Sequence, residues 1–185
     1  MNDEKEALKL ALGQLDELLQ SVDLKDVDAE SSGFEPLPDG YYLSEVESAE
    51  LKLSKTSGKP MAALKMKIVN DGIDAEVNSD GSVDFKMLKK TKGRYIFLYF
   101  GLGDSSAVRR FASNMLKFEG DTPGEPLLPK EAFISSSTVS EALDLLVGSR
   151  AYVQVSTTVN EKTEQSSTWN NLISWKRASM LQLPE

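Results

Sequence analysis

One run of six residues constrains the fold more than any other part of this 185-residue chain. Tyr95-Ile96-Phe97-Leu98-Tyr99-Phe100 contains only aromatic and aliphatic residues and has the strongest strand tendency in the sequence. Period-two alternation puts Tyr95, Phe97 and Tyr99 on one side and Ile96, Leu98 and Phe100 on the other. One side can fill a core. The other presents a row of rings that the fold must either cover or use.

The segments around this run read as further strands. Tyr41 to Leu53 alternates loosely and ends in Ser54-Lys55-Thr56-Ser57-Gly58-Lys59-Pro60, a Gly/Pro loop. Met61 to Val69 then sets Leu64, Met66 and Ile68 against Ala63, Lys65 and Lys67, which predicts a hairpin with the preceding strand. After the turn Asn70-Asp71-Gly72, Ile73, Ala75 and Val77 face Val83, Phe85 and Met87 across Asp80-Gly81, a hairpin arm. Ser105 opens a helix carrying Ala107, Val108, Phe111, Met115 and Leu116, which Gly120 ends. A Pro-rich loop leads to a second helix over Thr138–Val147, with Ser140 as its cap and Gly148 as its stop. Strands over Arg150–Thr158 and Thr168–Trp175, separated by a polar turn, close the pattern.

This order predicts a mainly β fold with helices, specifically an OB-type five-stranded barrel. Its expected additions are a β-hairpin arm, a helix between barrel strands 3 and 4, and an N-terminal amphipathic helix. Residues 1–22 supply that helix, with Leu8, Leu12, Leu15, Leu19 and Val22 at alternating spacings of four and three. Residues 23–39 read as an acidic linker, 40–178 as the OB-type domain and 179–185 as a tail. The leucine stripe Leu8, Leu12, Leu15 and Leu19 suits self-pairing into a homo-oligomer, or a replication or recombination protein as partner.

The net charge of -8 is unevenly distributed. Residues 1–40 hold 11 acids and 3 bases, whereas residues 52–117 hold 13 bases and 6 acids. The middle of the chain is therefore basic, and a local field of this kind attracts phosphate whatever the overall charge. There is no cysteine and no histidine. That removes thiol nucleophiles, imidazole bases, disulfides and the usual zinc ligand sets. No acidic pair stands out for carboxylate catalysis, so a role without enzymatic chemistry and without a cofactor is expected.

Glu76, Asn78, Asp80, Gly81 and Asp84 follow part of a calcium-loop pattern, but Met87 stands where the bidentate Glu belongs, and no metal is expected. The longest near-apolar run, Tyr95 to Leu102, is too short to span a membrane. The acidic start Met1-Asn2-Asp3-Glu4 does not read as a secretory leader, so a cytoplasmic location is expected.

Stacking on exposed rings beside a cationic groove is the chemistry of single-stranded nucleic-acid binding. The candidate residues are Tyr95, Phe97 and Tyr99, with Lys65 and Lys67 on the same face and Lys52, Lys55 and Lys59 flanking it. A basic cluster, Lys86, Lys89, Lys90, Lys92 and Arg94, adjoins the aromatic strand, and Arg109-Arg110 adds two more cations. Tyr152 and Trp169, on or beside the closing hairpin, are further stacking candidates.

A set of short motifs carries a family likeness. Leu37-Pro38-Asp39-Gly40-Tyr41-Tyr42, Ser54-Lys55-Thr56-Ser57-Gly58-Lys59-Pro60-Met61, Gly93-Arg94-Tyr95-Ile96-Phe97, Leu146-Val147-Gly148 and Asn170-Asn171-Leu172-Ile173 make up the set. Together they resemble a family of bacteriophage proteins, catalogued as a domain of unknown function, that sit among phage recombination and replication functions as single-stranded-DNA-binding proteins of OB type. The likeness covers roughly residues 37–177. It implies Lys55, Gly58 and Lys59 in a first binding loop and Arg94 to Tyr99 on the binding strand, in the cytoplasm of an infected bacterial host. The expectation is sequence-independent binding of single-stranded DNA in phage replication or recombination. The alternative is a phage structural or regulatory protein–protein interaction module.

Overall fold

The computed structural model describes residues 35–184. The leucine stripe Leu8, Leu12, Leu15, Leu19 and Val22, and the acidic segment as far as residue 34, lie outside the described residues. The described chain runs β1 (Gly40–Leu53), β2 (Pro60–Ile68), β3 (Gly72–Val77), β4 (Val83–Leu88) and β5 (Tyr95–Gly101). Helix α1 (Ser105–Met115), a 3₁₀ turn (Lys130–Phe133) and helix α2 (Ser136–Leu146) follow, then β6 (Arg150–Val159), β7 (Ser166–Ile173) and helix α3 (Trp175–Met180). The fold is mainly β with helices.

The seven strands form one antiparallel sheet, and β1 organises it. Its first half, Gly40–Glu45, pairs with Val155–Arg150 of β6, while Ser44–Leu53 pairs with Ile68–Pro60 of β2. A β-bulge lies between these halves: Val46 faces Met66 and Ser48 faces Lys65, leaving Glu47 as the extra residue. The bulge reverses the phase of the strand. Before it Tyr42, Ser44 and Val46 point inward, and after it Ala49 and Leu51 do. A one-residue change of phase blurs any period-two reading, which is why this stretch alternates only loosely in the sequence.

An OB-type five-stranded barrel was expected from the sequence, and the ladders do not close one. Hydrogen-bonded order runs β5–β2–β1–β6–β7, with β3 and β4 branching from β1. The outer strands β5 and β7 meet through a side chain, Asn170 Nδ2 donating to the Phe97 carbonyl at 3.4 Å, and no backbone ladder joins them. The sheet is open along that seam.

Its concave side holds the main core, with Tyr42, Leu64, Met66, Ile96, Leu98, Val153 and Leu172 from the strands. Helix α1 adds Phe111 and Met115, and α2 adds Ala142, Leu143 and Leu146. Asp104 caps α1 by accepting from the Ala107 N–H at 2.8 Å. That helix stops at Met115, short of Gly120, because Phe118 turns into the core and Glu119 then bridges to Pro126. Helix α2 begins earlier than expected: Ser135, not Ser140, is its cap, in a capping box with Thr138.

The last strand ends at Ile173, and Trp175, expected within it, opens α3 instead, capped by Ser174. Residues 179–185 were expected as a tail. Leu181 and Leu183 instead bury themselves with Tyr41, Ile73, Tyr152 and Ile173 in a second cluster on the convex side.

The basic connection after β4 is anchored by one carboxylate. Asp71 Oδ1 accepts from the backbone N–H groups of Thr91 and Lys92, both at 2.9 Å. Thr91, buried, donates its hydroxyl to the Leu88 carbonyl and accepts from the Gly72 N–H at 2.7 Å. Those backbone donors hold the Asp71 carboxyl below its ordinary range. A lowered folded-state value contributes stability that is present above the unfolded value of about 3.9 and is lost as pH falls through the folded one. Asp71→Asn should therefore show a shallower acid loss of stability than the wild type, read from denaturation midpoints between neutral and acid pH.

Gly72 is fixed for a steric reason. A Cβ there would overlap Cε1 of Tyr42. The Tyr42 ring is fully buried, its hydroxyl donates to the Pro38 carbonyl at 2.6 Å, and burial pushes its phenol up to about 12. Because that ring has nowhere to go, Gly72→Ala should lower unfolding free energy by about 1–3 kcal/mol in urea titrations.

Candidate nucleic-acid interface

The convex side of β5, β2 and the second half of β1 is open. Ile96 and Leu98 are buried, so alternation turns Tyr95, Phe97 and Tyr99 outward, where they are 38%, 45% and 59% exposed. The Phe97 and Tyr99 rings lie nearly parallel, at 8°, with centroids 6.5 Å apart. Register sets Lys67 opposite Tyr95, Lys65 opposite Phe97 and Ala63 opposite Tyr99. The small Ala63 leaves the Tyr99 ring uncovered. Lys65 Nζ sits 4.1 Å from the centre of the Tyr95 ring and Lys52 Nζ 5.7 Å from that of Tyr99, both within cation–π range.

Carboxylates from β1 share this surface. Glu47, the bulge residue, pairs with Lys65 and accepts from the Tyr95 hydroxyl at 3.1 Å. Glu50 pairs with Lys52 at 2.9 Å and Glu45 with Arg150 at 2.9 Å. The Lys65 ammonium hydrogen-bonded to Glu47, helped by the Tyr95 hydroxyl, holds that carboxyl below its ordinary range, and Glu47 in turn raises Lys65. Lys52 and Lys65 are thus each held near a ring by an anion that a phosphate would have to displace.

Beside Lys67, which register sets opposite Tyr95, lies a groove of about 250 Å³ between the start of β6 and the turn before β5. Glu45, Lys67, Lys92, Gly93 and Arg150 line it with Ile68 and Val69. Lys92 brings the end of the basic connection to it; Asp71 fixes the path of that connection, and Lys90 adopts a left-handed φ of 64° there. Arg94 begins the turn into β5, its N–H donating to the Thr91 carbonyl at 3.2 Å.

The structure thus brings Tyr95, Phe97, Tyr99, Lys52, Lys65 and Lys67 onto one surface, with Lys92 beside it. Lys55 and Lys59 are exposed on the β1–β2 loop, where Gly103 leaves room for the Lys59 stem. Trp169 is exposed on the outward side of β7, its indole N–H donating to Thr158 Oγ1 at 3.1 Å. Tyr152 is the exception among the expected stacking residues. It also points outward, but Leu181 and Leu183 cover it, and its hydroxyl donates to the Pro184 carbonyl. At 9% exposure it offers no face to a base.

Arg150, Glu45, Glu47 and Glu50 were not among the sequence candidates. For the three carboxylates the only sequence signal is the acidic character of β1 itself.

The sequence profile of a family described as Protein of unknown function (DUF669) matches residues 22–89. Its described part takes in β1 to β4 and stops before the aromatic strand. No curated protein matches the chain.

Exposed ion pairs contribute little to stability. Glu47→Gln should therefore leave the thermal midpoint almost unchanged while freeing Lys65. Elution from immobilised heparin should then require more salt than for the wild type, and unchanged elution would show that Glu47 does not mask the cation.

Proposed function

We propose that this chain is a sequence-independent single-stranded-DNA-binding protein of the phage replication or recombination type, acting by stacking and phosphate contact without catalysis. The observation that carries the reading is the outward row Tyr95, Phe97 and Tyr99, with lysines over two of its rings. Aromatic platforms beside a cationic track bind single strands because every base has a π-face and every nucleotide a phosphate. The groove through Lys67, Lys92 and Arg150 gives the backbone a path away from the rings.

The finer fold assignment belongs to the same proposal. Strand order β5–β2–β1–β6–β7, with helices between β5 and β6, is the order of an OB barrel, and Asn170 spans the seam that a closed barrel would zip. Binding in such folds uses the surface where β5 and β2 lie here. The bacteriophage resemblance supports the same reading and gives it a setting, the cytoplasm of an infected bacterial host. Among the described residues no helix is long and apolar enough to cross a membrane.

Fluorescence anisotropy with labelled oligo-dT tests the proposal. With about four to six phosphates engaged, the log–log salt slope should be roughly -3 to -4. Tyr99→Ala, at the most exposed ring, should weaken binding by about 1–3 kcal/mol with folding intact. Binding that prefers duplex or ignores salt would overturn the reading. No binding at all would favour a structural or regulatory protein–protein interaction module.

A further inference from the structure

The hairpin arm of β3 and β4 meets the rest of the sheet at one register position, Tyr41 opposite Ile73. Its cross-strand pairs Ile73–Met87, Ala75–Phe85 and Val77–Val83 make one side apolar. Beyond Ile73 that side is uncovered: Val77 is 57%, Phe85 46% and Met87 56% exposed. A two-stranded ribbon with an open apolar side is marginal in water, and a third strand is the usual remedy. Strand β4 ends the sheet and pairs only with β3, so one of its edges is unpaired.

The backbone shows which groups that edge offers. The Asn78 N–H donates to the Ser82 carbonyl at 2.8 Å, which makes 78 and 82 a hydrogen-bonded pair. Alternation then assigns Glu76–Asp84 and Asp74–Lys86 to β3–β4 hydrogen bonding. The N–H and C=O groups of Val83, Phe85 and Met87 therefore point away from β3.

We propose that this edge joins β4 of a second copy of the chain, antiparallel about a two-fold axis at Phe85, so that two arms form one four-stranded sheet. In that register Phe85 faces its symmetry mate and Val83 faces Met87 of the second copy on the apolar side. On the polar side Asp84 faces Lys86 of the second copy, twice by symmetry, at positions without hydrogen bonds, where opposed side chains approach most closely. The charge order selects this register. Sliding by one pleat either way puts Asp84 against Asp84 or Lys86 against Lys86. Among the described residues Lys86 makes no ion pair, and Asp84 accepts only from Asn78 Nδ2, at 2.9 Å. This interface shares no residue with the aromatic surface.

Sedimentation equilibrium of the full chain should show a dimer. Asp84→Lys reverses one partner in both symmetric pairs and should weaken the dimer by about tenfold. Adding Lys86→Asp restores opposite charges in the same pairs and should bring the affinity back to within about twofold. The chain has no cysteine, so Phe85→Cys introduces a single thiol. Two such residues across the axis would have Cα atoms about 5.5 Å apart, within disulfide range. Mild oxidation should then yield a covalent dimer, whereas Val77→Cys, on β3 and away from the edge, should not. A monomer at tens of micromolar, a dimer indifferent to Asp84→Lys, or equal crosslinking from Val77→Cys would each overturn the proposal. So would a monomeric arm whose Phe85→Ser variant loses oligo-dT binding, because the arm would then serve nucleic acid.

Discussion

The bulge at Glu47 is the constraint on which the rest of the sheet depends. Strand β1 has to satisfy two partners, β6 along its first half and β2 along its second, and the two ladders overlap only at Ser44 and Glu45. A straight 14-residue strand could not keep one side in the core across that change of partner. Inserting one residue turns Ala49 and Leu51 inward where Ser48 and Glu50 would otherwise point, and adds the local twist that lets β2 and β5 wrap over α1. The loop before β6 accepts the consequence: the Val46 N–H donates to the Ser149 carbonyl, and the Gly148 N–H donates to the Val46 carbonyl. The same extra residue points its carboxylate at Lys65 and Tyr95. The device that builds the sheet also sets the electrostatics of its open surface.

Those electrostatics are more balanced than charge counting along the chain implies. The excess of bases over residues 52–117 is real, but three carboxylates just before that window fold onto it: Glu47 and Glu50 pair with Lys65 and Lys52, and Glu45 lies opposite Lys67. Pairs this exposed are weak and salt-sensitive, so the carboxylates orient Lys52 and Lys65 over their rings without binding them firmly. A ligand bearing one phosphate gains little by replacing a carboxylate with its own charge. A polymer that engages several cations at once, and covers the rings as it does so, gains the stacking as well. Under the proposed function, such a surface would favour a continuous strand over mononucleotides.

Much of this was legible in the sequence, and the failures share a cause. The alternation of Tyr95 to Phe100 and the pairing of Ile73, Ala75 and Val77 with Val83, Phe85 and Met87 are local patterns, and the structure keeps both. The seam between β5 and β7 is not local: whether a sheet closes depends on tilt and stagger, which no short motif encodes. The burial of Tyr152 is equally remote, because Trp175 and the residues after it had first to be read as a helix that folds back. Period-two alternation along β6 sets Tyr152 on the side opposite Ala151, Val153 and Val155. It could not say that Leu181 and Leu183 would cover it. Glu47 was missed as a site residue for the reason that β1 looked irregular: a bulge hides its own residue from any periodic reading.

The aromatic surface and the arm are both open, and their chemistry differs in a way that separates their partners. On β5 two of the three rings carry hydroxyls, cations stand over the faces of Tyr95 and Tyr99, and water reaches both, so the surface is stable exposed and still able to stack. On the arm, Val77, Val83 and Met87 are aliphatic, Phe85 has no polar handle, and no lysine lies over its ring among the described residues. Leaving that side in water gains nothing, and its free edge is a template for another strand. The alternation Asp84-Phe85-Lys86 answers both problems together. Opposite charges one step either side of an apolar centre are self-complementary only when the strand meets its own copy in reverse, and they repel the shifted registers through which an open edge would otherwise grow into a fibre.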